Sequence, residues 1–267
     1  MDKITPELIE RLSYVKLIAT LDEINRPPGG KDSIKKLVQN TFLDRNSRVL
    51  DVGCNTGFCS FEIAHLTHCK VTGIDISGKM IKTANRMLDE YHSDLKRNVN
   101  FIKADGKSLP FENGEFDLVM SGGSTAFITD IPRALSEYRR TTKDWGFVGD
   151  INFYYHSKPP KKLIDKINHL MGTKILPWPI KYWIDHYSKA DLEMYYCYKN
   201  KTEPVTQEKI LNYCTELVRQ KRWQANIEEA AINRMFNIMT LFSENMKYLS
   251  YGVFILRKRN FREIILF

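Results

Sequence analysis

The stretch Val49-Leu50-Asp51-Val52-Gly53-Cys54-Asn55-Thr56-Gly57-Phe58 constrains the fold of this chain more than any other. An apolar run of strand length passes directly into a turn with glycine at both ends, and helix-forming sequence, Phe58–Leu66, follows at once. A strand, a tight turn and a helix in immediate succession make the first half of a right-handed crossover, which needs a second parallel strand beside the first. That strand is expected at Lys70–Asp75, followed by a helix from Gly78 to Leu95 and a third strand at Val99–Lys103. A fourth strand is expected at Phe116–Met120 after the turn Glu112-Asn113-Gly114, then a helix at Pro132–Arg140 and a fifth strand at Gly146–Phe153. Such alternation predicts a doubly wound, mostly parallel sheet covered by helices on both faces. In sheets of this kind ligands bind outside the carboxyl ends of the strands.

The flanks read differently. Residues 1–44 are expected as N-terminal helices: Thr5-Pro6 is a helix start, Leu8, Leu12, Val15 and Ala19 keep helical spacing, and a second helix is expected from Ser33 to Phe42. The loop Arg26-Pro27-Pro28-Gly29-Gly30 separates them, either as a plain linker turn or as a segment closing over a ligand. The domain core is expected at 45–155. Residues 156–247 are expected as a ring-rich helical lid, with a sixth strand at Leu192–Tyr198 and helices near Gln207–Lys221 and Ile227–Asn245. Residues 248–267 supply a final strand, Tyr251–Arg257, and a basic tail, which brings the sheet to seven strands.

The 267 residues carry a formal net charge of +8. The densest basic runs, Lys158–Lys162 and Arg257–Arg262, hold only a few charges each, so they read as solvated surface, and a nucleic-acid partner is disfavoured. The five cysteines form no C-x-x-C pair, the start MDKITPELIERL is polar, and no run approaches the ~18 apolar residues of a membrane span. A cytoplasmic protein with reduced thiols is expected. His65, His68 and Cys69 lack a matching ligand pair elsewhere, so a zinc site there is disfavoured and no metal is expected.

The chemistry concentrates at the strand ends. Gly53 and Gly57 let a ligand approach the backbone, and the following helix offers free N–H groups to a carboxylate. Asp51 is placed to accept hydrogen bonds from an ammonium or to order the loop. Asp75, 18 residues after Gly57, suits a pair of ribose hydroxyls. Asp105, in Ala104-Asp105-Gly106, can face an adenine amino group, with Ile76 and Met80 against the ring; Ser121 ends the fourth strand where a small residue leaves room. The alternative is that the three acids only cap helices and turns.

Together, VLDVGCNTGF, GIDIS, KADGKSLPFENGEFDLVMSGG and YGVFILRKR resemble the class I S-adenosylmethionine-dependent methyltransferases, above all the branch acting on small molecules and quinones. The resemblance implies the Rossmann-like methyltransferase fold, S-adenosylmethionine as cofactor, and transfer of its methyl group to a small-molecule acceptor. It implies the methionine part at Asp51, Gly53, Cys54, Asn55 and Gly57, the ribose at Asp75 and the adenine at Asp105. One departure is Cys54-Asn55, where the family more often has Cys-Gly.

Methyl transfer needs positioning and exclusion of water. The rings between Trp178 and Tyr198 either hold a sulfonium or fill a core. His156 and His186 are candidate proton acceptors, and Tyr155 a weaker candidate for substrate contact. The fourth strand ends in Ser121-Gly122-Gly123 rather than the Asn-Pro-Pro-Tyr of base methylases, no Walker lysine follows the turn, and its G-x-x-x-G spacing disfavours a nicotinamide. Two alternatives stay open: intramolecular cyclisation of the same cofactor to azetidine-2-carboxylic acid with release of methylthioadenosine, and a non-catalytic module binding RNA or a partner.

Overall fold

Seven strands form one sheet in the order β3-β2-β1-β4-β5-β7-β6 in the computed structural model, which describes residues 4–90, 93–171 and 175–259. They are β1 (Arg48–Val52), β2 (Lys70–Asp75), β3 (Val99–Lys103), β4 (Phe116–Ser121), β5 (Thr142–Tyr155), β6 (Glu193–Lys201) and β7 (Leu249–Arg257). The pairings β1–β2, β2–β3, β1–β4 and β4–β5 are parallel. The strand order reverses between β1 and β4, which opens a crevice at their carboxyl ends. β7 runs against β5: Trp145 N–H donates to Lys258 O near one end and His156 N–H to Tyr248 O near the other.

The helices are α1 (Pro6–Arg11), α2 (Tyr14–Leu21), α3 (Gly30–Gln39), α4 (Phe58–Thr67), α5 (Gly78–Asp89), α6 (Ser93–Asn98), α7 (Ile131–Thr141), α8 (Lys161–Met171), α9 (Ile180–Lys189), α10 (Gln207–Arg219) and α11 (Ala225–Met246). Alternation along the strands sorts side chains to the two faces. Val49, Val71 and Leu118 pack with Ile34 and Leu37 of α3 and Phe61 and Ile63 of α4. Leu50, Val52 and Val119 pack on the other face with Leu135 and Tyr138 of α7 and Trp183 and Tyr187 of α9. Covering both faces buries Val49 to Val52 of β1 and all of Leu249–Leu256 in β7, hence their near-continuous apolar sequence.

Two compact units make up the chain. The α/β unit comprises Asn25–Tyr154, Trp178–Asn200 and Tyr251–Phe267; the helical unit comprises Met1–Ile24, Tyr155–Pro177 and Lys201–Ser250. Inside the helical unit, Tyr14 meets Phe242 edge-on at 5.2 Å, Tyr213 donates its hydroxyl to Glu23, and Lys221 pairs with Asp22.

Several expected boundaries move. The first helix is two, α1 and α2, because Leu12 and Ser13 take extended backbone between them. The helix expected at Ser33 starts at Gly30, and the one expected from Gly78 to Leu95 ends at Asp89, with α6 beyond. The sixth strand runs Glu193–Lys201, and α8 and α9 appear where proline and ring content hid the helical period. The expected single lid at 156–247 is divided, since Trp178–Asn200 belongs with the α/β unit. The reason is burial: Trp183 and Tyr187 are almost wholly enclosed. The part of the basic run from 260 to 262 lies outside the described residues. Among the described residues no helix is long and apolar enough to cross a membrane.

The indole N–H of fully buried Trp183 donates to Phe153 O at 3.0 Å. Trp183→Phe removes that donor and part of the packed ring, and is expected to lower the unfolding free energy by about 2–3 kcal/mol. Urea denaturation should show a lower midpoint at an unchanged slope; an unmoved midpoint would contradict the packing.

Candidate active site

The turn after β1 is held from one point. Gly53 N–H and Cys54 N–H both donate to Ile74 O at 2.8 Å, and Gly57 N–H donates to Cys54 O at 2.8 Å. Gly53, Asn55 and Gly57 all lie in the left-handed region, at φ 71°, 52° and 94°. A Cβ on Gly53 would stand 2.2 Å from Ser124 Oγ, and one on Gly57 would stand 2.6 Å from Phe101 Cζ. Glycine is therefore required at both places on two counts. Asn55 occupies the position that is more often glycine in the resembling family, and asparagine tolerates the left-handed region well. The turn delivers the chain into α4, whose amino terminus has no side-chain cap and no acid in its first turn. Its first N–H groups have no intrahelical partner.

The acids expected at the site end neighbouring strands or lie within them. Asp51 in β1 is buried; its Oδ2 accepts from Ser60 Oγ at 2.7 Å. Burial pushes its carboxyl up to about 7, the Ser60 hydrogen bond opposes this, and the charge of Asp75 adds to the rise. Asp75 ends β2 and shapes the loops: Oδ2 accepts from Asn55 N–H at 3.1 Å and Oδ1 from Ser77 N–H at 2.8 Å. Burial raises its carboxyl above the ordinary value, against those two hydrogen bonds. Each of its oxygens keeps a further lone pair for a ligand. Asp105 follows β3, accepts from Lys107 N–H at 2.9 Å and lies 3.8 Å from Lys107 Nζ. Ala104 N–H donates to Asp75 O at 3.1 Å, which ties the end of β3 to that of β2.

The remaining expected residues spread more widely. Ile76 is 67% exposed, whereas Met80 is buried under the Ser77 cap of α5. Gly106 packs closely: a Cβ there would stand 2.9 Å from Val52 Cγ1. Cys54 is buried, and its thiol is raised by burial first and then by Asp51 and Asp75. Ser121 is fully buried, and its hydroxyl accepts from Thr125 N–H at 3.1 Å and meets Ser124 Oγ at 2.8 Å. It therefore shapes the turn after β4. Tyr155 OH and Asn245 bond to each other inside the helical unit, and His156 Nδ1 lies 3.0 Å from Ser250 Oγ there. His186, in the α/β unit, turns Nδ1 to Tyr182 O at 2.8 Å.

Three buried atoms near the end of β1 and in the turn after it find no hydrogen-bond partner among the described residues: Asp51 Oδ1, Asn55 Oδ1 and Thr56 Oγ1. Each such atom costs about 1–3 kcal/mol when nothing satisfies it. Their concentration at this strand end and turn marks a place for a polar ligand.

A family described as Methyltransferase domain matches residues 49–146. Residues 49–146 are thus similar to a methyltransferase domain. The sterol 24-C-methyltransferase of Candida albicans is 32% identical over 113 residues, 42% of this chain and 30% of that protein. The ubiquinone/menaquinone biosynthesis C-methyltransferase UbiE of Shewanella sediminis is 31% identical over 132 residues, 49% of this chain and 51% of that protein. The chain thus spans about half or less of the length of these curated relatives. The crystal structure of the MccD protein shares the fold, with a TM-score of 0.76 at 24% identity over 88% of this chain and 100% of that one.

Sequence reasoning missed a buried network in the α/β unit beside the methyltransferase motif residues. Asp150 in β5, in register with Ser121, accepts from Thr125 Oγ1 at 3.0 Å and Tyr187 OH at 2.9 Å. Ser124 Oγ donates to Val52 O, so the network reaches the end of β1. An acid inside the apolar run Phe147–Phe153 was the available signal, as was Ser60 for Asp51, one turn into α4. Burial pushes Asp150 up to about 7, against the bonds from Tyr187 and Thr125.

A carboxyl raised in the folded state binds a proton there that the unfolded chain has already released. Between about pH 4 and 7, Asp150 therefore makes stability fall as pH rises. The slope of unfolding free energy against pH is expected to be less negative for Asp150→Asn than for the parent over pH 5–7, read by urea denaturation. Parallel slopes would count against the raised carboxyl.

Proposed function

We propose that this protein transfers the methyl group of S-adenosylmethionine to a small-molecule acceptor. The observation that carries the reading is the unsatisfied polar turn after β1, set at an uncapped helix terminus beside the acids of β1 and β2. These groups fit the cofactor in type. The N–H groups of the turn and of α4 suit its carboxylate, Asp51 Oδ1 suits its ammonium, and the spare lone pairs of Asp75 suit its ribose hydroxyls. Asp105 with Ala104, Gly106, Ile76 and Met80 is assigned to the adenine. Bound there, the cofactor would supply an electrophilic methyl group on a sulfonium.

The work left to the chain is orientation, exclusion of water and management of one proton. Burial holds the Tyr155 phenol above its ordinary value, which suits it to donating a hydrogen bond rather than accepting a proton. His156 and His186 are the groups assigned to proton acceptance. The curated relatives are named as carbon methyltransferases of sterols and quinones, which supports a panel of lipophilic acceptors as the first to try. All five cysteines are unpaired, which supports the proposed cytoplasmic location.

Incubation with S-adenosylmethionine and such acceptors, read by mass spectrometry, should yield S-adenosylhomocysteine and a methylated product. Methylthioadenosine as the adenosine product would overturn the reading in favour of cyclisation. Asp75→Ala should weaken S-adenosylhomocysteine binding at least about tenfold, because charge-assisted bonds to the ribose are lost. An ammonium beside Asp51 favours its ionised form, so affinity should rise about tenfold from pH 6 to pH 8 as that carboxyl ionises. Calorimetry should find that rise in the parent and little of it in Asp51→Asn.

A further inference from the structure

β5 carries an acid where its alternation calls for an apolar side chain. Val148, Asp150, Asn152 and Tyr154 share one face of the strand, and Val148 and Tyr154 pack there with residues of α7 and α9. Asp150 and Asn152 are fully buried between them. Packing alone does not call for a carboxyl at such a place, because burying one is costly unless donors surround it.

The donors form two branches. Tyr187 OH, from α9, donates to Asp150 Oδ2 at 2.9 Å and accepts from Asn152 Nδ2 at 3.5 Å, which closes that branch within the buried core. The other branch leaves it. Thr125 Oγ1 donates to Asp150 Oδ1 at 3.0 Å, and Thr125 belongs to the 3-10 turn Ser124–Phe127 that follows β4. Its N–H donates to Ser121 Oγ at 3.1 Å, and Ser121 Oγ lies 2.8 Å from Ser124 Oγ. Ser124 Oγ donates to Val52 O, so Ser121 is the donor within the serine pair. The hydroxyl protons of Ser121, Ser124 and Thr125 are thus each committed to one acceptor. Ser124 also sits in the space that Gly53 leaves by lacking a side chain, since a Cβ there would stand 2.2 Å from Ser124 Oγ and 2.3 Å from Ser124 Cβ. A displaced Ser124 therefore displaces the turn at Gly53.

We propose that Asp150 is a positioning residue for the S-adenosylmethionine site, a role resting on the reading above. It acts through Thr125 and Ser124 on the turn at Gly53, and not by contact with the ligand. Its carboxylate ties the 3-10 turn to β5, and the serine pair carries that constraint to the end of β1.

The two branches separate positioning from mere structural support, with urea denaturation reading stability and calorimetry with S-adenosylhomocysteine reading the site. Thr125→Val and Ser124→Ala cut the branch that reaches Gly53, and each should weaken binding about tenfold. Thr125→Ser, which keeps the hydroxyl, should recover most of that loss. Asp150→Asn should weaken binding about as much as Thr125→Val, and the two together no further than either alone. Tyr187→Phe cuts only the other branch; it should lower the unfolding midpoint yet leave binding within about twofold. Ser124→Ala, at a partly exposed residue, carries the test if a buried variant does not fold. Unchanged binding in Ser124→Ala or Thr125→Val, additive losses in the double variant, or equal weakening by Tyr187→Phe would overturn the proposal. A parent that does not bind S-adenosylhomocysteine would instead overturn the cofactor reading itself.

Discussion

One carbonyl organises the crevice. Ile74 O receives the N–H groups of both Gly53 and Cys54, so the turn after β1 is fastened to the end of β2 at the point where the strand order reverses. From that fastening the rest follows in sequence. The chain must swing through left-handed backbone at Gly53, Asn55 and Gly57 to enter α4. Asn55 N–H then reaches Asp75, and Ala104 N–H reaches Asp75 O, so the ends of β1, β2 and β3 are laced by backbone donors. The Asp75 carboxylate is the one side chain that this lacing uses as an acceptor.

Electrostatics explain why the crevice suits a cationic ligand. Asp51, Asp75 and Asp150 are all raised by burial, and Asp51 is raised further by the charge of Asp75. Two buried carboxyls that resist ionising together accommodate a ligand bringing positive charge, because that charge restores the ionised form. The sulfonium and ammonium of S-adenosylmethionine are such charges. The amino terminus of α4, with no side-chain cap and no acid in its first turn, presents the opposite sign at the same turn. The two signs at one turn match the zwitterionic head of an amino acid.

The ring-rich segment illustrates how burial redistributes a sequence. Trp183 and Tyr187 lie on one face of α9, and both are drawn into the core against β5 and α7. Tyr187 also carries the hydroxyl that satisfies Asp150. The aromatic content that suggested a lid thus serves largely to close one face of the sheet and to pair a buried acid. The helices that flank it in sequence, α8, α10 and α11, belong to a unit with its own ion pairs and ring contacts.

The strands β1 to β5, the turn at Gly53–Gly57 and the positions of Asp51, Asp75 and Asp105 were legible in the sequence because each depends on residues a few places apart. Glycine spacing, apolar runs and acids at strand ends are local signals, and they carried the fold class; the resemblance of those motifs to methyltransferases carried the cofactor. What tertiary structure alone decided are the pairings across long separations: Asp150 with Tyr187, Arg26 with Phe58, and Pro27 and Pro28 with Gly122 and Gly123. It also decided that Trp178–Asn200 joins the α/β unit while its flanks do not. A chain records its periodicity in sequence, but which surfaces meet is set by packing all of it at once.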